Sequence, residues 1–227
     1  MCLMNLYGIG LKLEKMNYKP GEISSFNDTN LPLWQRGVRQ GGKMNRKVMG
    51  SNLLTFKKVL DKYNVVFVII FGGLLGIIRN GNFIPWDEDL DIACFDGGAT
   101  ATKTPDHWKM KKIKKDLKKE GFRIIGSDQH HSYHDFFIRG GERIEIFWFK
   151  RIESIESEKT EWIMNTSVRY PAHYFDELDE IDFLGTKFKV PSNAEEFLER
   201  TYGKSWKKPN KKARYLNLNL RKREENE

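Results

Sequence analysis

The sequence has few cysteines and no long apolar run, and these shortages exclude several classes of protein. Cys2 and Cys94 lie far apart in the chain, so neither a disulfide framework nor a CxxC pair for structural zinc is expected. The longest apolar run, residues 65–71, has the length of a strand and is far shorter than the roughly 20 residues of a membrane-spanning helix. The amino terminus lacks the basic start of a secretory signal. We therefore expect a cytoplasmic protein with no transmembrane segment.

The charge balance favours anionic ligands without choosing among them. The 227 residues carry 39 lysines and arginines against 31 acids, which gives a formal net charge of +8. That excess suits a nucleic-acid binder, but it suits equally a protein that handles nucleotides, phosphorylated substrates or anionic surfaces. With 39% hydrophobic residues, the chain can bury the core of one ordinary domain.

The first part of the chain divides into an irregular arm, a helix and a buried strand. Residues 1–42 mix Gly, Pro, Asn and Ser with no sustained period, which predicts an irregular N-terminal arm. Between residues 43 and 62, apolar positions recur at helical spacing among lysines and predict an amphipathic helix. The run 65–71, VVFVIIF, has the β-branched and aromatic content of a buried strand.

A glycine turn and a second helix are predicted to follow that strand. Gly72 and Gly73 come directly after it, and LLGIIRN continues as a short helix that Asn80 and Gly81 should end. Residues 87–95 then alternate acidic and apolar side chains, as expected for a half-buried strand. The predicted order is therefore strand, glycine turn, helix and acidic strand.

The rest of the chain contains helices and strands that we place around one sheet. A lysine-rich helix comes first and a short helix last, with several strands between them and a charged, mobile tail over residues 213–227. The predicted bounds are helix 106–120, strands 122–126, 133–139 and 143–149, the last two joined as a hairpin across Gly140 and Gly141, and helix 193–202. The predicted fold class is α/β or α+β, with a mixed central sheet flanked by helices.

The run Asp87-Glu88-Asp89-Leu90-Asp91 contains the strongest candidate site. A strand period of two points Asp87, Asp89 and Asp91 to one face, about 7 Å apart along the strand. Partly buried carboxylates in such a row repel one another unless a cation lies between them. Oxygen ligands of this kind suit a hard divalent cation, Mg2+ or Mn2+. A solvated acidic strand face is the alternative that the alternation alone leaves open.

Five further residues are candidates for the site, and each has a structural alternative. Gly72 and Gly73 either offer backbone N–H groups to a phosphate at the start of a helix or form an ordinary turn. Glu145, which lies among apolar neighbours, is either another metal ligand or the acid of an edge strand. Arg79 either contacts substrate or complements the carboxyl end of its helix. Trp86 either stacks on a substrate or packs in the core.

Separate stretches of the sequence resemble one known family. GGLLGIIRNGNFIPWDEDLDIA is similar to the signature of the LicD family of phosphorylcholine transferases and of their relatives fukutin and fukutin-related protein. RIEIFWF and the closing segment that ends in YGKSWKKP resemble later parts of the same family. The resemblance covers residues 43–212, which we take as one LicD-like domain. The family belongs to the DNA polymerase beta-like nucleotidyltransferase superfamily.

The resemblance implies a reaction and a role for each candidate residue. The expected reaction moves a phosphoalcohol, such as phosphocholine or ribitol phosphate, from a CDP-linked donor to a hydroxyl of a carbohydrate acceptor. The implied catalytic residues are Asp89, Asp91 and Glu145, which would bind Mg2+ or Mn2+ together with Asp87. The implied substrate-binding residues are Gly72, Gly73, Arg79 and Trp86.

Two of these residues depart from the family pattern. Gly73 stands where many members have Thr or Ser, so backbone N–H groups alone would contact a phosphate there. Glu145 stands where aspartate is commoner, which keeps the carboxylate but moves it by about one methylene group. The zinc site of fukutin-related protein has no counterpart, because the cysteines that it needs are missing.

Two other functions stay open at this stage. The same fold could transfer a nucleotidyl group from an NTP to a small molecule or a protein, although the closing segment favours the LicD-like branch. A non-catalytic protein could instead use the basic surface to bind a glycan or a nucleic acid. The intact acids Asp89, Asp91 and Glu145 argue against this last function, and no stable nucleic-acid complex is expected.

Overall fold

The computed structural model describes residues 19–32, 35–96, 107–125, 134–153, 160–164 and 168–211. Its helices are α1 (Arg46–Lys62), α2 (Phe71–Asn80), α3 (His107–Lys119), α4 (His173–Asp176) and α5 (Ala194–Tyr202). Its strands are β1 (Val68–Ile69), β2 (Asp89–Asp96), β3 (Arg123–Ile125), β4 (His134–Arg139), β5 (Glu142–Glu153), β6 (Thr160–Met164), β7 (Val168–Pro171), β8 (Leu178–Phe183) and β9 (Thr186–Pro191). The predicted tail 213–227 and the first 18 residues of the predicted arm lie outside the described residues.

One mixed sheet forms the centre of the fold. Seven strands lie in the order β3-β4-β5-β2-β1-β9-β8. The other two lie outside this order: β6 pairs with β5, and β7 pairs with β6. The pairs β2–β5 and β1–β9 are parallel, whereas β2 runs antiparallel to β1 and β4 runs antiparallel to β5. The predicted α/β class, with a mixed central sheet flanked by helices, is confirmed.

The helix α1 begins at a capping residue and packs on one side of the sheet. The side-chain oxygen of Asn45 accepts a hydrogen bond of 3.2 Å from the N–H of Val48, which satisfies a donor that the first helical turn leaves unpaired. The predicted start at residue 43 was therefore three residues early. From the buried stripe of α1, the ring of Phe56 contacts the rings of Phe122 and Phe137 edge to face.

A second aromatic cluster fixes α2 and α5 to the sheet. The ring centroid of Phe71, at the start of α2, lies 5.6 Å from that of Phe147 in β5 and 6.3 Å from that of Phe197 in α5. Tyr170 in β7 lies 5.1 Å from Phe197. Packed aromatic rings bury large apolar areas and hold defined relative orientations. The start of α2 is therefore held firmly against the middle of β5.

The apolar run 65–71, predicted as one strand, is mostly not a strand. Only Val68 and Ile69 have strand pairing, and α2 already begins at Phe71, so that Gly72 and Gly73 lie inside its first turn. The prediction of a glycine turn before the helix was therefore wrong. Continuous burial removes the periodicity by which a strand and the start of a helix could be distinguished. The end of α2 was predicted correctly, because Gly81 follows it with φ 64°.

The predicted hairpin across Gly140 and Gly141 is confirmed. Both glycines have positive φ, 59° and 80°, as a two-residue turn between antiparallel strands requires. Arg139 and Glu142 pair on either side of the turn. The prediction ended the second strand at residue 149, but β5 continues to Glu153 and pairs there with β6.

The longest described helix is α1, with 17 residues. Lysines lie along its surface, as in an amphipathic helix of a globular domain. Within the described ranges, no helix combines the length and the apolar character that crossing a bilayer requires.

Candidate functional site

The pairing of β2 with β5 brings three carboxylates together. The two strands are parallel, and their register places Asp89 beside Arg143 and Asp91 beside Glu145. Register neighbours project to the same face of a sheet. Asp89, Asp91 and Glu145 each offer a carboxylate oxygen, and these oxygens lie within 4.8 Å of one another. We call these three residues the acidic triad.

Burial makes the acidic triad electrostatically costly when no cation is bound. The exposed fractions of Asp91 and Glu145 are only 6% and 9%. Burial raises the pKa of Asp91 well above its usual range, and the negative charges of Asp89 and Glu145 raise it further. A divalent cation among these oxygens would remove much of this repulsion. The triad therefore has the ligand chemistry and the electrostatic need of a metal site.

A buried arginine lies beside the triad and was not predicted from the sequence. The guanidinium of Arg143 forms an ion pair with the carboxylate of Asp89. Burial opposes the charged form of Arg143, but Asp89 and Glu145 outweigh that effect and raise its pKa. The alternation in RIEIF could have indicated its position, because Arg143 and Glu145 are two residues apart on one strand and share a face.

Asp87 lies next to the triad but outside the strand that carries it. The strand β2 begins at Asp89, so the prediction that Asp87 is the first residue of the acidic strand was wrong. Burial, followed by the charge of Asp89, raises the pKa of Asp87 to about 7. Within the described residues, the group of carboxylates close enough to share a cation does not include Asp87. A metal-binding role for Asp87 stays a prediction.

The two glycines of α2 approach different neighbours. A β-carbon on Gly72 would collide with the carboxylate of Asp87, and one on Gly73 would collide with the side chain of Leu90. Gly72 thus lets the start of α2 lie against the loop that contains Asp87, whereas Gly73 lets it pack against β2. The N–H groups of a first helical turn have no partner within the helix, which is why Gly72 and Gly73 are predicted to bind phosphate. That role stays a prediction.

The backbone just before these glycines is strained. Phe71 has φ 47°, a left-handed conformation that is uncommon for a residue with a bulky side chain. Such conformations persist where the surroundings hold them, and they cluster at functional sites. At Phe71 the aromatic cluster supplies that hold, since its ring packs on Phe147, two residues beyond Glu145 in β5. The start of α2 is therefore fixed relative to the acidic triad.

Arg79 and Trp86 have structural partners in addition to their predicted substrate roles. Arg79 is near the carboxyl end of α2 and donates a hydrogen bond of 3.3 Å to the carbonyl of Trp206, while burial lowers its pKa. Trp86 is partly buried against the core, and Lys211 Nζ lies 5.3 Å from the centroid of its ring. Substrate contacts by Arg79 and Trp86 stay predictions.

Comparisons with known proteins relate the same part of the chain to one family. The model of the LicD/FKTN/FKRP family, nucleotidyltransferase domain, matches residues 64–193, which is more than half of the chain. Ribitol 5-phosphate transferase FKRP from Mus musculus and the same enzyme from Homo sapiens are each 24% identical to the chain over 161 residues. These matches cover 64% of this chain but 29% of each relative, so the chain spans less than a third of their length.

Similar solved structures are more distant. The crystal structure of ANT(2'')-Ia in complex with adenylyl-2''-tobramycin is 11% identical, with a TM-score of 0.40 over 63% of this chain and 68% of that chain. A putative nucleotidyltransferase from Thermotoga maritima is 15% identical, with a TM-score of 0.34 over 67% of this chain and 84% of that chain.

The family model, which matches residues 64–193, includes α2, the acidic triad and the strands that carry it. The chain belongs to the LicD/FKTN/FKRP family, nucleotidyltransferase domain.

Proposed function

We propose that this chain is a metal-dependent transferase that moves a phosphoalcohol from a CDP-linked donor to a hydroxyl of a carbohydrate. The observation that carries the proposal is the acidic triad, whose three carboxylates converge within 4.8 Å on the matched domain of a transferase family. The two mammalian relatives, named as ribitol 5-phosphate transferases, support a phosphoalcohol as the transferred group.

The residues of the triad fit a divalent cation. All three ligands are carboxylate oxygens, which are the atoms that Mg2+ and Mn2+ prefer. The raised pKa of Asp91 is also the expected property of a carboxylate whose ionised form requires a neighbouring cation. Asp89, Asp91 and Glu145 would therefore hold the ion. When bound, it would neutralise charge on the donor diphosphate as the leaving phosphate develops its negative charge.

The proposed transfer is a substitution at phosphorus. The acceptor oxygen forms a bond to the phosphorus that bears the alcohol, and the bond from that phosphorus to the bridging oxygen breaks. CMP leaves with the electron pair of the broken bond, and the hydroxyl proton passes to a carboxylate, for which Glu145 is our candidate. Alignment of the reacting groups and charge neutralisation supply most of the catalysis in phosphoryl transfer.

Neighbouring residues would orient the donor. The N–H groups of Gly72 and Gly73, in the first turn of α2, would donate to an oxygen of the diphosphate. Trp86, which is partly exposed and directly precedes Asp87, would stack on the base or line its pocket. Arg143 keeps one positive charge beside the triad and would limit repulsion between the carboxylates and the incoming phosphates.

An assay of released nucleotide tests this function. The purified chain would be incubated with CDP-ribitol, CDP-choline or CDP-glycerol, a panel of carbohydrate acceptors and Mg2+, and CMP and the modified acceptor would be quantified. The Asp89→Asn, Asp91→Asn and Glu145→Gln variants should remain folded and lose at least about a hundredfold in rate. The exposed control Asp182→Asn should keep full activity. Full activity of all three triad variants would refute the assignment.

A second substrate class is tested in the same experiment. The family description names a nucleotidyltransferase domain, so transfer of a nucleotidyl group from an NTP to a small molecule or a protein is the other candidate reaction. The two reactions leave different products, because NTP-dependent nucleotidyl transfer releases pyrophosphate and phosphoalcohol transfer releases CMP. Pyrophosphate release from NTPs, with no CMP formed from CDP-alcohols, would replace the proposed function with this second one.

A further inference from the structure

We propose that Arg39 is a positioning residue for the acidic triad, supplied by a segment outside the family match. The match begins at residue 64, whereas Arg39 belongs to residues 35–45, which precede α1. The inference rests on the proposed function, because the role that we assign to Arg39 is to hold the strands that carry the metal ligands. The contacts that Arg39 makes do not depend on which substrate the protein binds.

Both the backbone and the side chain of Arg39 are anchored near the start of β5. Its backbone N–H donates a hydrogen bond of 2.7 Å to the carbonyl of Gly141. Its Nε donates a hydrogen bond of 2.9 Å to Oε1 of Glu142, and its Nη2 lies 3.3 Å from Oε2. The side chains of Arg39 and Glu142 are only 5% and 1% exposed. This is a bidentate ion pair that solvent barely reaches.

The same guanidinium also contacts the loop that leads into β2. Arg39 Nη2 donates a hydrogen bond of 2.8 Å to the backbone carbonyl of Asp87, two residues before Asp89. The strands β2 and β5 are parallel, so both begin at this end of the sheet. One planar side chain therefore connects Asp87, two residues before Asp89, to Glu142, three residues before Glu145. Arg39 thereby fixes the spacing at which the ligands of the triad face one another.

Stability alone gives a poor reason for this arrangement. A buried ion pair loses hydration on both partners, and apolar residues of similar volume often replace such a pair with no loss of stability. Apolar residues could not donate to the carbonyl of Asp87. That hydrogen bond requires a donor side chain at position 39, and it holds the backbone two residues before Asp89.

The test replaces the whole ion pair, so that no buried charge is left without its partner. In the Arg39→Met/Glu142→Met variant of the full chain, we expect a folded protein with a modestly lower melting temperature, because the carbonyl of Asp87 and the N–H of Asn45 lose their hydrogen-bond partners. We expect Mg2+, titrated by calorimetry, to bind about 10 to 100 times more weakly, because the strands that carry its ligands are held less firmly; the loss of an outer partner of a metal ligand has an effect of this size. Hydrogen exchange over residues 83–91 should be about tenfold faster.

The control removes another largely buried ion pair, Lys114 with Asp135, whose atoms lie 2.9 Å apart. Lys114→Met/Asp135→Met should leave both Mg2+ affinity and exchange over residues 83–91 unchanged. Wild-type exchange over 83–91 and unaltered Mg2+ affinity in the Arg39→Met/Glu142→Met variant would overturn the inference. If the wild type itself fails to bind Mg2+, the proposed metal site fails, and the exchange rates alone then decide whether Arg39 positions the loop.

Discussion

The guanidinium of Arg143 forms an ion pair with the carboxylate of Asp89, and the two residues are register neighbours on the parallel strands β2 and β5. The side chain of Arg143 thus places a positive charge beside the acidic triad. Because Arg143 offsets one of the three negative charges, the fully ionised triad and its arginine together carry a net charge of −2, which one divalent cation would neutralise. The charge balance favours one protein-bound ion at the triad.

Removing the charge of Arg143 should make the fold depend more strongly on divalent ions. In Arg143→Met the metal-free protein should lose about 3 kcal/mol of unfolding free energy, because the charge of Asp89 is left without its buried partner. Mg2+ should then raise the melting temperature of the variant by more than it raises that of the wild type. Thermal unfolding with and without Mg2+ measures both effects. Equal Mg2+ responses would show that Arg143 does not balance the charge of the triad.

Neutralising Asp91 should have the opposite effect on the metal-free protein. Burial and the neighbouring carboxylates raise the pKa of Asp91 above its unfolded value, so its ionised form destabilises the fold at neutral pH. Asp91→Asn should therefore increase both the unfolding free energy and the melting temperature of the metal-free protein at pH 7. Activity and the Mg2+-induced rise in melting temperature should both be lost. A variant less stable than the metal-free wild type would contradict this account.

The part of the site that lies on one strand could be predicted from the sequence, whereas the part that depends on strand pairing could not. A period of two placed Asp89 and Asp91 on one face, because alternation is a local property of an extended chain. Glu145 was a candidate only, since its place beside Asp91 depends on a parallel register between strands 54 residues apart. Resemblance to the family, and not periodicity, selected it.

Residues that act through distant contacts were missed for the same reason. Arg39 contacts Glu142, 103 positions away in the sequence, and nothing local distinguishes Arg39 from the other basic residues of its segment. The boundary between β1 and α2 was predicted wrongly for a different reason. Phe71 begins the helix with a positive φ, a conformation that is unfavourable for phenylalanine. Tertiary packing of its ring overrides that local preference.

The ion pairs of Asp116 should make stability depend on pH. Asp116, in α3, accepts hydrogen bonds from Lys62 at 2.6 Å and from Tyr63 at 2.8 Å, which link the end of α1 to α3, and from Lys119 at 2.9 Å within α3. The bond from Lys62, with those from Lys119 and Tyr63, lowers the pKa of Asp116 below its unfolded value. Its contribution is therefore complete above the unfolded pKa of about 4 and is lost as the pH falls through the lower folded value.

Asp116→Asn should accordingly lower the melting temperature at pH 7 by a modest amount that shrinks below a pH of about 4. Salt should reduce the difference as well, since Lys62 and Lys119 are exposed. Melting curves of the wild type and the variant between pH 2.5 and about 7 measure the trend. The Asp182→Asn control, whose carboxylate is 82% exposed, should show little difference at any pH. A deficit in Asp116→Asn that persists unchanged into acid would exclude the ion pairs as its cause.

The two glycines of α2 should respond differently to the removal of their neighbours. Alanine at position 72 would collide with the carboxylate of Asp87, and alanine at position 73 with the side chain of Leu90, so each substitution should cost about 1–3 kcal/mol of unfolding free energy. In an Asp87→Ala background, Gly72→Ala should instead stabilise by up to about 1 kcal/mol, because alanine favours a helix over glycine. Leu90→Ala should relieve Gly73→Ala but not Gly72→Ala. Urea unfolding of the single and double variants gives the two coupling energies. Additive effects in both pairs would mean that neither glycine is required by the contact seen in the structure.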